Sequence, residues 1–156
     1  MKIVFVNQPA SLSLPPTHSV DIVTHELAKR IVRKGCEVIA YGGGGKSTSL
    51  EYEGVGYRAV VPRFDTVFAR ARTIWDVFNR EKYHRPWFSS PLHRRGYAVA
   101  VARDVERQNA DIIHIHNYSQ FVPIFRRFNP KAKIVLHMHC GWLHQLNANM
   151  VQHRLE

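Results

Sequence analysis

Apolar positions recur along the chain in two periods, and the switches between them outline the elements. Lys2-Ile3-Val4-Phe5-Val6-Asn7 is a β-branched and aromatic run that predicts a buried strand. Pro9, Pro15 and Pro16 make Gln8 to Thr17 a loop. From about Ser19 to Lys34 the period becomes helical: Val20, Val23, Leu27 and Ile31 share a face, with Ile22 and Ala28 beside it. Lys29, Arg30 and Arg33 load the last turns, and Gly35 ends the helix.

Cys36 to Tyr41 predicts a second strand, Gly42 to Gly45 a flexible turn, and Val55 to Val61 a third strand closed by Pro62. Asp65 to about Glu81 is helical, with Phe64, Phe68, Ala71, Trp75 and Phe78 on one face. A further helix is expected from about Pro91 to Asn109, since proline suits a first helical turn. Asp111 to His116 is a strand, a loop and short helix run through Phe125, Lys133 to His139 is a strand, and Leu143 to Leu155 is helical. The order β-α-β-β-α-α-β-α-β-α predicts a doubly wound α/β domain on a parallel sheet. The architecture stops at a helix with no strand after it, so it reads as incomplete at its C-terminus.

Composition narrows the class. With 156 residues and 45% apolar positions the chain suits one globular domain and not a disordered one. No apolar run approaches the ~18–20 residues of a membrane span, and Ile3 to Val6 is too short for a signal peptide core. Cys36 and Cys140 do not form a disulfide framework, which predicts a reduced, cytoplasmic protein. The net charge of +10 favours anionic partners without choosing among nucleic acid, phosphorylated metabolites and a membrane face.

Four patterns carry candidate chemistry. Ala40 to Ser47 approaches a phosphate-binding P-loop, but Ala40 stands in the first glycine's place. The residues beyond it predict turn and strand instead of the required helix, so a plain turn is expected. His114 and His116, then His137 and His139, are two His-X-His pairs at the C-terminal ends of predicted strands, each pair on one face. They suit a metal, substrate contact, or simple burial; the absence of nearby Asp or Glu disfavours a metal-dependent hydrolase. Thr17, His18 and Ser19 precede the first helix, where Thr17 or Ser19 can cap it and its free amides favour an anion. Finally, Arg58 to Arg107 interleaves Arg63, Arg70, Arg72, Arg80, Lys82, Arg85, Arg94, Arg95 and Arg103 with aromatic residues. That pattern suits a membrane interface or a stacking surface, or a helix packing its aromatic face inward with arginines outside; Tyr83 to Phe88 is the better candidate for an exposed patch.

Taken in order, the opening Lys-Ile-Val-Phe-Val strand, the helix Val20 to Lys34, Tyr52-Glu-Gly-Val55, Ala110-Asp-Ile-Ile-His-Ile-His-Asn117 and Lys133-Ile-Val-Leu-His-Met-His139 resemble the N-terminal Rossmann-like domain of GT-B glycosyltransferases. The set is most like the retaining enzymes of glycosyltransferase family 4. The resemblance implies a two-domain enzyme with a cleft, of which this chain is the acceptor-side half, residues 1–156, without the C-terminal donor-binding domain and so inactive alone. It implies that His139 contacts the donor sugar near the reaction centre and that His116 and Asn117 face the acceptor. Thr17, His18 and Ser19 stand where the family carries a Gly-Gly pair, and Cys140 and Gly141 follow the cleft histidine. The nucleotide-sugar is then a substrate, and no cofactor or metal is expected. Implied partners are a saccharide or lipid-linked acceptor and the missing domain, with peripheral contact to an anionic inner membrane face and no nucleic acid. A metal-dependent hydrolase and a non-catalytic anion-binding module are the alternatives from other classes.

Overall fold

The computed structural model describes residues 1–62, 64–78 and 87–155. Arg63, Arg80, Glu81, Lys82, Tyr83, Arg85 and Pro86, and the side chains of Arg72, Trp75, Phe78 and Trp87, lie outside the described residues, so the patch expected around Tyr83 is not among them. Six strands form one sheet: β1 (Lys2–Ser11), β2 (Glu37–Gly43), β3 (Thr48–Tyr52), β4 (Val55–Val60), β5 (Ile112–His116) and β6 (Lys133–His137). The helices are α1 (Ser19–Val32), α2 (Asp65–Phe78), α3 (Arg95–Gln108), α4 (Val122–Phe128) and α5 (Ala148–Leu155).

The spatial order is β3-β4-β2-β1-β5-β6. All neighbours are parallel except β3 and β4, which are antiparallel. The expected parallel sheet is therefore mixed, with one antiparallel edge. Strand order reverses at β1, which has β2 on one side and β5 on the other, and crevices at such switch points are where α/β sheets build sites.

Alternation along the central strands sends side chains to two cores. Val4, Val6, Ile39, Tyr41, Ile113 and Ile115 pack with Tyr97, Val101 and Val105 of α3 and Ile124 and Phe125 of α4. Ile3, Phe5, Val38, Ala40, Val55 and Tyr57 pack on the other face with Ala28 of α1. On that second face β5 places His114 and His116 where β1 has Phe5, because Phe5 pairs in register with His114.

Several boundaries differ from the sequence reading. β1 runs through Pro9 to Ser11, with a register shift between Val6 and Ser11. Its pairing to β5 ends at Val6, so proline's missing N–H falls where that ladder has stopped. Gly42 and Gly43 are strand, not turn, paired with Ala59 and Val60. Gly44 comes so close that a Cβ there would sit 2.9 Å from the Ala59 Cβ. No helix follows; β3 does, which removes the P-loop geometry. β3 was missed because it is an edge strand exposed along nearly its whole length, leaving no buried alternation to read.

Pro91 does not open α3. Residues 91–94 are turns, and Arg94 is left-handed (φ 56°), so the helix starts at Arg95. Asp65 accepts the Tyr97 N–H at 3.1 Å and so serves the start of α3 from the start of α2. The expected helix from Leu143 is split: Trp142–Gln145 is a short 3-10 turn and Leu146 is extended. Asn147 then accepts the Met150 N–H at 2.8 Å, which starts α5. Of the stripe expected on α2, Phe64 is exposed and Phe68 and Ala71 are half-buried; Val67 and Ile74, not assigned to it, are exposed too.

Glu53 and Gly54 join β3 to β4 with φ of 50° and 77°, a two-residue turn of type I′. His25 ties this hairpin to α1, its Nε2 lying 2.6 Å from Glu53 Oε2 and its Nδ1 2.5 Å from the Tyr57 hydroxyl. Gly54→Ala is expected to destabilise the protein by about 1 kcal/mol, because an L side chain is strained at that φ. Its Cβ would also meet Val32 at 3.4 Å. A thermal melt reads the change, with no shift in the midpoint counting against it.

Candidate functional site

The site grows from the C-terminal ends of β1, β5 and β6. Pleating along β5 points Ile113 and Ile115 to one core and leaves His114 and His116 on the opposite face. His137 is the register partner of His116. Four imidazoles thus stand together: ring centroids are 4.7 Å apart for His114 and His116, 5.2 Å for His116 and His137, 4.3 Å for His137 and His139 and 5.0 Å for His116 and His139.

Asn117 sets the geometry just past β5. It is left-handed (φ 62°), a conformation asparagine tolerates better than most residues, and so turns the chain out of the strand. Its N–H donates to the His137 carbonyl at 2.9 Å, and its Oδ1 accepts the His139 N–H at 2.8 Å. The Cys140 Sγ lies 3.9 Å from the same oxygen. One side chain therefore clamps the ends of β5 and β6 and places His139.

A hydrogen-bonded relay runs inward from His139. Its Nε2 is 2.7 Å from His116 Nδ1, and His116 Nε2 is 3.5 Å from Thr24 Oγ1. The single Thr24 hydroxyl proton is shared between Asn7 Oδ1 at 3.0 Å and the Val20 carbonyl at 2.8 Å, and Asn7 Nδ2 donates to Asp21 Oδ1 at 2.8 Å. Because the Thr24 proton is committed, its oxygen accepts from His116 Nε2–H. His116 Nδ1 then accepts from His139 Nε2–H, which leaves the His139 Nδ1 lone pair free. Burial, with the neighbouring imidazoles adding to it, pushes His116 down to about 3 and His114 to about 4. Burial and then His137 lower His139. These rings are neutral at pH 7. Asp21 is raised by burial, opposed by His18 and by the Asn7 hydrogen bond.

Thr24→Val keeps the shape and removes the hydroxyl, leaving buried Asn7 Oδ1 without its donor. A loss of about 1–3 kcal/mol is expected. A urea midpoint equal to that of the unsubstituted protein would refute the relay's structural weight.

Residues 20–156 match Glycosyltransferase Family 4. The chain belongs to Glycosyltransferase Family 4. Its fold is that of solved GT-B glycosyltransferases. An α,α-trehalose 6-phosphate synthase from Burkholderia multivorans superposes with a TM-score of 0.55 at 17% identity, over 99% of this chain and 35% of that one. A UDP-forming α,α-trehalose-phosphate synthase from Burkholderia xenovorans, in complex with glucose-6-phosphate, gives 0.51 at 16%, over 89% and 33%. The catalytic domain of starch synthase IV from Arabidopsis thaliana, bound to ADP and acarbose, gives 0.52 at 14%, over 88% and 33%. The chain thus spans about a third of the length of these structures. No curated protein matches it.

In this family 4 chain the predicted site residues fall into two groups. His139, His116, Asn117 and Cys140 are gathered at the ends of β5 and β6, and exposed Gly141 follows, starting the turn at Trp142. His116 is fully buried beneath His139, so it positions that ring and does not face solvent. Thr17, His18 and Ser19 are exposed at the start of α1, and among the described residues no hydrogen bond joins them to the histidines. The capping expected of Thr17 or Ser19 is not made: His18 is the N-cap without a side-chain bond, and the Thr17 hydroxyl pairs with Ser13 at 3.1 Å. Asp21 already supplies a carboxylate to that first turn.

Asn7, Asp21 and Thr24 were not singled out from the sequence. The signals were there: a polar residue ending a buried strand, and two polar residues three apart on the helix that follows it. The basic surface is also placed. Arg95, Arg103 and Arg127 line an open groove of about 460 Å³ between α3 and α4, with Arg103 over the Phe128 ring at 5.5 Å. Phe88, half-buried, packs edge-on against Trp142. Both cysteines are free, and among the described residues no helix is long and apolar enough to cross a membrane.

Proposed function

We propose that this chain is the acceptor-side half of a retaining, nucleotide-sugar-dependent glycosyltransferase, completed by a C-terminal donor-binding domain. The observation that carries the reading is the placement of His139. It is exposed just past the C-terminal end of β6, its N–H held by Asn117 and its ring by the buried His116, in a chain that belongs to a glycosyltransferase family. In the proposed reaction the acceptor oxygen bonds to the anomeric carbon as that carbon's bond to the diphosphate breaks. The nucleoside diphosphate leaves with the electron pair, and the acceptor proton passes to a departing phosphate oxygen. Fixed donors stabilise the leaving charge, and no resident metal takes part. His139 holds the donor sugar; His116 and Asn117 act through it; Cys140, Gly141 and the Thr17–Ser19 loop border the cleft.

The acceptor is a saccharide or a lipid-linked sugar met in the cytoplasm. The exposed Phe64 just before α2, and Val67, Arg70 and Ile74 exposed on it, support peripheral contact with an anionic membrane face. The test uses the intact gene product with UDP-, GDP- and ADP-sugars. Release of nucleoside diphosphate that depends on an added saccharide acceptor, with the anomeric configuration kept, is the expected result. Inversion removes the retaining mechanism, and no turnover with any donor removes the reading.

A further inference from the structure

Among the described residues, one buried nitrogen of the histidine group has no hydrogen-bond partner. His114 Nε2 is buried and makes no hydrogen bond. Its ring neighbours are Phe5 at 4.9 Å, His116 at 4.7 Å and His137 at 5.3 Å. Leaving a buried polar atom unsatisfied costs about 1–3 kcal/mol. The transfer reaction has no use for this atom, since the relay passes from His139 through His116 to Thr24 and bypasses His114.

His114, His116 and His137 each offer one ring nitrogen such that the three lie within 4.8 Å of one another. Two come from alternate positions on β5 and the third from the register partner of His116 on β6, so the pleat converges them without any loop. We propose that these three histidines form a binding site for a divalent transition metal of the zinc class. A tetrahedral zinc site with Zn–N of about 2.0–2.1 Å sets its nitrogens roughly 3.4 Å apart. The rings therefore close by up to an ångström or so on loading, turning from stacked to convergent. Three neutral imidazoles suit zinc, copper or nickel and do not suit magnesium or calcium. That the group holds no carboxylate among the described residues disfavours hydrolysis but not binding: a three-histidine set with a fourth position open is a known zinc environment.

Loading has a consequence for the cleft. Both nitrogens of His116 are engaged, Nδ1 with His139 and Nε2 with Thr24. A metal at His116 breaks one link of the relay: bound at Nδ1 it displaces His139, and bound at Nε2 it displaces Thr24. Metal occupancy and the complete relay are thus mutually exclusive.

The test is a titration of untagged, chelator-stripped protein with Zn²⁺ by calorimetry and with Co²⁺ by visible absorption. One ion per chain and the ligand-field bands of tetrahedral Co²⁺ are expected. His137→Gln, at the half-exposed sheet edge, should weaken binding at least about tenfold. His153→Gln, exposed on α5, should leave it unchanged. Long-range proton–nitrogen spectra of the unsubstituted protein identify the ligating rings without any variant, should His137→Gln fail to fold. The proposal is overturned by no saturable binding, by equal affinity in a folded His137→Gln, or by zinc-induced shifts confined to His18, His93, His144 and His153.

Discussion

On the proposed function, replacing His139 with alanine in the intact gene product is expected to lower kcat by about 10²–10³-fold, the order of loss when one preorganised hydrogen-bonding group at a reacting centre is removed. The fold is expected to lose about 1–3 kcal/mol as well, because the buried His116 Nδ1 is left without its partner, so the kinetics are read where the variant stays folded. His139 itself is exposed, and among the described residues its side chain hydrogen-bonds to His116. The backbone placement by Asn117 uses the His139 N–H and survives the substitution. Asn117→Ala provides the contrast. It leaves the imidazole in place but frees its backbone, so it is expected to raise KM and lower kcat together. Steady-state kinetics against donor and acceptor separately distinguish the two. A His139→Ala enzyme that turns over within threefold of the original would remove His139 from the chemistry.

The protein is expected to lose stability in mild acid, by several kcal/mol between about pH 6.5 and about pH 4. His114 and His116 are held below their ordinary value, at about 4 and about 3, chiefly by burial. In the unfolded chain they return to about 6.5. Below that pH the unfolded state binds more protons than the folded one, so stability rises with pH. Their contribution is complete above about pH 6.5 and is lost progressively as the pH falls toward the folded values. Each pKa unit is worth ~1.4 kcal/mol, which sets the order of magnitude for the pair. Glu26 and Glu53 act in a lower window. Lys29 holds Glu26 below its ordinary value, and His25 and Lys29 do the same for Glu53, so their contributions fade only below about 4.5; both are exposed and weigh little. Urea midpoints measured with a chelator present read the effect. A His114→Leu variant should have a visibly flatter profile, and an unsubstituted protein equally stable at pH 5 and pH 7 would sink the account.

Much of the fold was legible because buried strands and amphipathic helices write their periods into the chain. β2, β5 and the apolar first half of β1 follow from β-branched runs, and α1 from its helical spacing ending at Gly35, although Ile22 and Val23 of its expected face are exposed and Thr24 and His25 are buried instead. What escaped lies where burial is slight or one residue overrides its neighbours. β3 is solvated along nearly all its length, Arg94 starts α3 by turning left-handed, and Asn147 divides what reads as one helix. On α2 the helical spacing was correct, but of the expected face Phe64 stays exposed and Phe68 and Ala71 are only half-buried.

For the site, the sequence by itself determined which residues share a face. An i, i+2 spacing on a strand puts His114 with His116 whatever the rest of the chain does, and the ordered set of motifs pointed to the family that residues 20–156 match. Only the tertiary structure decided that β5 and β6 are neighbours in a register that opposes His116 to His137. Only it decided that His116 is buried beneath His139, that Asn117 spans both strand ends, and that Asn7, Thr24 and Asp21 continue the relay into α1. The reason is physical. Local spacing is fixed by backbone geometry a few residues long, whereas strand order, register and burial depend on contacts between residues tens of positions apart, which no local pattern encodes.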